Sequence, residues 1–276
     1  MAPLGGAPLD PPLTWGRVIG LPVAVGNMAG ITRAVLDLAK RGAGGQVCVA
    51  NVHMLTTARG DPELRTVLER AALVVSDGKP LVWRLRQQGF RQAEQVRGPD
   101  LMLRVCEAAA AEGVPVYFYG GDEQLISALG AELKRRWPDL VIAGAEAPPL
   151  LPPRPEADPA VAKRIRASGA RILFVGLGCP KQEFWMHAYA PELAAVQLGV
   201  GQAFAIAAGQ LREAPAWVRG LGLEWLFRLA SEPRRLWRRY LVTNSLFLAY
   251  LIGESWTRWS HPDEPGASAS GLRSGR

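Results

Sequence analysis

The amino-acid sequence predicts an α/β fold in which a mostly parallel sheet is covered by helices on both faces and followed by a helical C-terminal appendage. Short apolar runs of strand length alternate with stretches of helical periodicity, the pattern of parallel strands joined by crossover helices. After Gly209 the strand pattern ceases, and the sequence becomes helical in pattern, basic and aromatic. A length of 276 residues with 49% hydrophobic content is enough to bury a sizeable core.

Six apolar runs have the length of buried strands and are bounded by glycine, proline or polar residues. They are Gln46–Ala50, Leu73–Ser76, Pro115–Tyr119, Leu140–Ala143, Arg171–Val175 and Ala195–Val200. In sheets of this kind, ligands bind outside the carboxyl ends of the strands. The residues that follow the runs are therefore the first candidates for a functional site.

Helical segments are predicted between these runs. Met28–Lys40 follows a capping residue, Asn27, and stops at Gly42. A second helix has one apolar face, formed by Leu125, Ile126, Leu129 and Leu133. The segment from Ala145 to Pro159 contains six prolines and is predicted to be an exposed loop.

Composition divides the chain into four parts. Residues 1–14 and 261–276 are rich in small, proline or polar residues and are predicted to be disordered tails. The α/β domain is placed at 15–209 and the appendage at 210–260. No secretory signal is visible, and the three cysteines lack metal or redox spacing, which favours a reducing, cytosolic location. No apolar run reaches the roughly 18–20 residues that span a bilayer.

Two polar residues directly follow predicted strands. Asp77 follows the run that ends at Ser76 and precedes Gly78, a position suited to a general base that a substrate can approach. The alternative is an aspartate that caps the next helix. Asn51 could bind a sugar hydroxyl or, again, cap a helix. Sequence spacing alone leaves both alternatives open.

Two glycine turns also lie at predicted strand ends. Gly120 and Gly121 would let a phosphate or ribose approach the backbone, or they form only a tight turn. Gly176 and Gly178 lead into a helix start at Lys181, where backbone N–H groups and a cation favour a diphosphate. Neither Gly176-x-Gly178 nor Gly199-x-Gly201 completes a dinucleotide fingerprint, so a nicotinamide-dependent oxidoreductase is a weak alternative. No Asp-x-Asp pair is present, which argues against a metal clamp on a nucleotide-sugar diphosphate.

The appendage combines cations with aromatic side chains. Residues 210–260 contain eight arginines against four acids, and five of the nine tryptophans. Arginines that alternate with tryptophans and leucines suit an anionic membrane surface, or they form the solvated face of a helix that packs on the core. The many apolar residues disfavour a nucleic-acid groove.

The ordered motifs resemble those of the WecG/TagA/CpsF glycosyltransferases (glycosyltransferase family 26) over roughly residues 21–240. The motifs are Asn51, Asp77-Gly78, Gly98-Pro99-Asp100-Leu101, Gly120-Gly121, Gly176–Glu183, Gly209, Ala214-Pro215, Leu223-Glu224-Trp225 with Arg228, and Glu232-Pro233 with Arg235.

The resemblance implies a Rossmann-like catalytic domain and an inverting, metal- and cofactor-independent transfer of an N-acetylmannosamine-type sugar. The donor would be a UDP-sugar and the acceptor a polyprenyl-diphosphate-linked N-acetylglucosamine, at the inner face of the bacterial plasma membrane. Self-association is also implied.

The resemblance also assigns roles to residues. Asp77 would be the general base, and Asn51 and Gln182 would position the sugar. The implied substrate-binding residues are Gly78, Arg97, Gly120, Gly121, Gly176, Gly178, Lys181, Arg228, Arg235 and Arg238.

Four positions depart from the family pattern. Many members have Thr at 49, Arg at 95, Asp at 205 and Arg at 213, where this chain has Val49, Gln95, Ala205 and Glu213. Arg97 would lie on the same strand face as position 95 and could replace its cation. The departures leave open a catalytically weakened, nucleotide-sugar-binding or regulatory homologue.

Overall fold

The computed structural model of the protein describes residues 13–42 and 44–260. Its strands are β1 (Thr14–Val18), β2 (Leu21–Val25), β3 (Gly45–Ala50), β4 (Leu73–Ser76), β5 (Val116–Gly120), β6 (Ile142–Glu146), β7 (Ile172–Gly176) and β8 (Val196–Gly199). Its helices are α1 (Met28–Arg41), α2 (Val52–Gly60), α3 (Pro62–Arg70), α4 (Lys79–Gln87), α5 (Gly98–Glu112), α6 (Glu123–Arg136), α7 (Pro159–Ala167), α8 (Lys181–Tyr189), α9 (Ala203–Ala207), α10 (Ala216–Gly220), α11 (Glu224–Ser231) and α12 (Pro233–Ser260).

The predicted α/β fold class is confirmed. Strands β3 to β8 form one parallel sheet in the order β4-β3-β8-β7-β5-β6. All six predicted strand runs are strands. The largest shift is in β6, which starts at Ile142 rather than Leu140 because the Leu140 N–H donates to the Trp137 carbonyl in a turn.

Two core clusters lie on the two faces of this sheet. On one face Phe118 stacks on Phe174, with ring centroids 5.2 Å apart. On the other, Tyr119 stacks on Trp185, with centroids 4.5 Å apart. Since neighbouring residues of a strand point to opposite faces, β3, β4, β5 and β7 each supply residues to both clusters, as expected for a sheet covered on both sides.

An antiparallel hairpin, β1–β2, precedes the sheet and was not predicted. Its two-residue turn is Ile19-Gly20, with φ of 44° and 80°. Thr14, which the sequence placed in a disordered tail, is the first residue of β1.

The last helices cover the carboxyl edge of the sheet. Helix α12 crosses α2, with Phe247 buried, the Thr56 hydroxyl donating to the Thr243 carbonyl at 3.5 Å and the Arg59 guanidinium 5.1 Å from the Tyr250 ring centre. None of the helices described is both long enough and apolar enough to span a membrane.

Candidate active site

A cavity of about 1160 Å³ opens at the carboxyl edge of the sheet. Its floor consists of the residues that follow β3, β4, β7 and β8, and helices α11 and α12 form the opposite wall. A parallel sheet brings the ends of its strands to one edge, which is why residues far apart in sequence meet here.

Asp77 lies in this cavity, one residue beyond β4. Its N–H donates to the Ala50 carbonyl at 2.8 Å, and its Oδ1 accepts from the Gly98 N–H at 3.3 Å. The N-terminal residue of α4 is capped by Gly78, with no side-chain cap bond. The capping alternative for Asp77 is therefore not what the structure shows.

Burial, and after it the Glu224 carboxylate, raises the pKa of Asp77 to about 7. Arg97, the Gly98 N–H and Arg228 act in the opposite direction. A carboxyl group with a pKa near neutrality can accept a proton and release it again under physiological conditions, which is the property of a general base.

Asn51 has a local structural role as well as a place in the cavity. Its Oδ1 accepts a hydrogen bond from the Met54 N–H at 3.1 Å. Asn51 therefore caps α2, which is one of the two alternatives that the sequence left open. Both Asn51 and Gly78 line the cavity.

The turn between β7 and α8 forms another part of the floor through Gly176 and Gly178. The Gly178 N–H donates to the Gln182 Oε1 at 3.2 Å, which directs the Gln182 Nε2 towards the Glu183 Oε1, 2.8 Å away. A side chain at Gly199 would come within 2.9 Å of the Gln182 Nε2. The Gln182 amide is therefore fixed in one orientation.

Glu183 is fully buried, and the sequence identifies it only as the last residue of the Gly176–Glu183 motif. Burial raises its pKa to about 7, while hydrogen bonds from Gln182 and the Cys179 thiol partly oppose this. The cost of burying this carboxyl group therefore grows as pH rises from about 4.5, where the group ionises in the unfolded chain, to about 7, where it ionises in the folded protein.

We expect Glu183→Gln to gain stability relative to the native protein as pH rises from about 4.5 to about 7. Over this range the folded native protein keeps the Glu183 proton that the unfolded chain releases, so its free energy of unfolding falls as pH rises. The variant lacks this titration. The difference in free energy of unfolding between the variant and the native protein should therefore change by roughly 2 kcal/mol over this pH range. Urea unfolding of both proteins at several pH values measures this difference. A difference that stays constant with pH would contradict the raised pKa of Glu183.

Arg228 brings a cation from α11 into the cavity. It donates to the Gln202 Oε1, and its charge lowers the pKa of Asp77. Gln202 follows β8 and was not identified from the sequence. The signal that could have found it is the one that identified Asn51 and Asp77, namely a polar residue just beyond a predicted strand.

Further side chains line the cavity. Gln95 donates to the Asp77 carbonyl at 2.5 Å. His53 lies 3.4 Å from the Thr57 hydroxyl through its Nδ1, in keeping with a packed rather than a catalytic histidine. Trp225, Tyr240 and Asn244 line the wall formed by α11 and α12.

Arg97, for which the resemblance implies a substrate contact, is not among the residues that line this cavity. Its side chain is buried and bonded to Asp100, Glu213 and Glu224. A guanidinium surrounded by three carboxylates is already neutralised, which disfavours a direct contact with a diphosphate.

Four further predicted contacts lie away from the cavity lining. The Lys181 Nζ donates to the Leu151 carbonyl at 2.8 Å and so braces the proline-rich loop. Gly120 and Gly121 are not lining residues either; a Cβ at Gly120 would come within 2.7 Å of the Gly176 backbone. Arg238 lies over the Trp237 ring on the exposed side of α12. The side chain of Arg235 lies outside the described residues.

Within the part of the chain that the structure describes, no cluster of three or more His, Cys, Asp or Glu side chains could hold a metal ion. The cavity offers instead amides, backbone groups, the Asp77 carboxyl and the Arg228 guanidinium.

Comparison with known families gives one match over most of the chain. The model described as "Glycosyl transferase WecG/TagA/CpsF family" matches residues 16–261. Val49, Gln95, Ala205 and Glu213, where the sequence differs from the pattern expected from the resemblance, all line the cavity.

Proposed function

We propose that this chain, which belongs to the WecG/TagA/CpsF glycosyl transferase family, transfers an N-acetylmannosamine-type sugar from a UDP-sugar to a polyprenyl-diphosphate-linked N-acetylglucosamine. The reaction would serve cell-surface polysaccharide synthesis. Family membership supports a glycosyltransferase with a nucleotide-sugar donor. The identity of the sugar, the lipid acceptor, inversion and metal independence are our proposal.

The observation that carries this proposal is the position of Asp77 in the cavity. The side chain lies at a strand end, accepts a hydrogen bond from the Gly98 N–H, and has a pKa raised to about 7. It faces the same cavity as Arg228 and the Gly176–Gly178 turn. A base and a cation in one cavity match the needs of sugar transfer from a diphosphate.

In the proposed mechanism, Asp77 accepts the proton of the acceptor hydroxyl. The hydroxyl oxygen forms a bond to the anomeric carbon of the donor as the bond from that carbon to the diphosphate oxygen breaks. A single displacement inverts the anomeric centre and releases UDP. Arg228 and the turn that contains Gly178 would stabilise the negative charge that develops on the leaving diphosphate.

A screen of UDP-sugars against a prenyl-diphosphate-N-acetylglucosamine analogue, with the product detected by mass, tests this function. We expect the acceptor mass to rise by one sugar residue with at least one donor. Absence of product with every donor would contradict the proposed transfer.

The apolar side chains of Val49 and Ala205 in the cavity favour a second candidate, a nucleotide-sugar-binding or regulatory homologue. Calorimetry with UDP and UDP-sugars separates the two. Binding without turnover on any lipid acceptor would support the second candidate.

We further propose that the appendage contacts an anionic membrane surface. Its exposed apolar side chains include Trp217, Leu221, Trp225, Trp237 and Leu241. They lie among arginines in a segment with an excess of four positive charges, since eight arginines accompany four acids. Aromatic side chains at the interface and arginines on phosphates are the usual basis of peripheral binding.

We expect Trp217→Ser combined with Trp237→Ser to weaken binding to liposomes that contain anionic lipid, by about tenfold, because both exposed rings would leave the interface. Co-sedimentation measures the bound fraction. The matched control is Trp137→Ser, a partly buried tryptophan at the end of α6 and outside the appendage. Equal binding by the double variant and the native protein would contradict the membrane contact and would favour the alternative, in which the arginines form the solvated face of a helix packed on the core.

A further inference from the structure

Arg97 is an unusual residue in this fold because a single buried guanidinium contacts carboxylates from three segments. It is 6% exposed and directly precedes α5. It bonds to Asp100 at 2.9 Å, to Glu213 at 2.9 Å and, through two nitrogens, to Glu224 at 2.9 and 3.1 Å. A two-point guanidinium–carboxylate contact fixes orientation as well as distance.

Two of these partners, Glu213 and Glu224, belong to the segment after the last strand. One cation of the α/β core thus contacts two carboxylates of the C-terminal segment. The contact is reinforced because the Arg219 Nη1 lies 3.3 Å from the Glu213 Oε2.

Helix α11 depends on these polar contacts for its position. Although it has an apolar side, none of its eight residues is buried. The edge-to-face contact of Trp225 with Tyr240, at 5.9 Å between ring centres, joins α11 to α12 rather than to the sheet. The Glu224–Arg97 contact therefore fixes the start of α11 on the core.

Glu224 and Arg228 are four residues apart, so they lie on the same side of α11. When Glu224 is held at Arg97, Arg228 comes one turn further on, at the cavity, where it donates to Gln202. One turn of α11 therefore sets how far Arg228 lies from the Arg97–Glu224 contact.

We propose that Arg97 is a positioning residue: through its ion pair with Glu224 it fixes α11 so that Arg228 faces the diphosphate of the donor. Arg97 itself does not contact the substrate. The role in substrate binding rests on the proposed function, whereas the attachment of α11 does not.

A double-mutant cycle with UDP as the calorimetric probe tests this role. Arg97→Gln is expected to weaken UDP binding about tenfold, and Arg228→Gln at least as much. Since Arg97 acts through Arg228, adding Arg97→Gln to Arg228→Gln should cause no further loss. Glu224→Gln removes the same Arg97–Glu224 ion pair by changing the partly exposed partner. This variant replaces Arg97→Gln in the test if Arg97→Gln fails to fold.

The matched control is Arg104→Gln, on the exposed side of α5, where Arg104 pairs with Glu107. It should bind UDP as the native protein does. The proposal would be overturned if Arg97→Gln weakened UDP binding as much in the Arg228→Gln background as it does in the native protein. It would also be overturned if both Arg97→Gln and Glu224→Gln bound UDP with native affinity.

Hydrogen exchange of the 224–231 amides separates this proposal from the proposed function. Faster exchange in Arg97→Gln than in Arg104→Gln is expected whether or not UDP binds. Equal exchange would overturn the attachment of α11 by Arg97. If the native protein does not bind UDP, the proposed donor is wrong, and the exchange rates alone decide whether Arg97 fixes α11.

Discussion

Asp77→Asn is expected to reduce kcat of sugar transfer by about 10²–10⁴-fold, the contribution of a positioned general base. The substitution keeps the shape of the side chain and an oxygen that can accept the Gly98 N–H, so the fold should be retained. It removes the group that takes the acceptor proton. Initial rates of product formation by mass, at saturating donor, measure the effect.

The matched control is Asp122→Asn. Asp122 also follows a strand, but its Oδ1 caps α6 through the Leu125 N–H at 2.8 Å, and asparagine caps equally well. It should transfer sugar at the native rate. An Asp77→Asn enzyme with native kcat would exclude Asp77 as the base.

Gly120→Ala is expected to destabilise the fold by about 2–5 kcal/mol, from positive-φ strain and overpacking combined. Gly120 has φ of 131°, and a Cβ there would lie 2.7 Å from the Gly176 backbone, which cannot move without disturbing the β5–β7 pairing. Urea unfolding measures the loss.

Gly113→Ala separates strain from collision. Gly113 also has a positive φ, 65°, but a Cβ there would meet nothing within 4 Å. It should cost only about 1–2 kcal/mol, the strain of the left-handed conformation. Equal losses at both positions would show that the approach of Gly120 to Gly176 is not the limiting contact.

The parallel sheet could be predicted because each of its strands is a short apolar run with a clear boundary. The hairpin β1–β2 could not, for two physical reasons. Pro22 lies inside β2, and Pro disfavours a strand assignment. Its turn places Ile19, a β-branched residue, at a positive φ, which is rare; Ile19 is held there because its side chain is buried.

The grouping of several candidate residues around one cavity could also be predicted. The candidates that line it are Asp77, Asn51, Gly78, Gly176, Gly178, Gln182 and Arg228. The directions in which long side chains point could not be predicted from the sequence. Lys181 starts a helix near the cavity but reaches the Leu151 carbonyl, and Arg97 turns to carboxylates 116 and 127 residues away. Such contacts depend on how the C-terminal segment packs, which strand and helix patterns do not encode.

The pH dependence of kcat/KM for sugar transfer tests the central claim, that Asp77 is the base of this cavity, most directly. Because the pKa of Asp77 is raised to about 7, the active carboxylate is lost as pH falls below that value. We expect kcat/KM to decrease about tenfold per pH unit from pH 6 towards pH 5, as for a single essential base. A profile that is flat between pH 5 and pH 8 would contradict the role of Asp77.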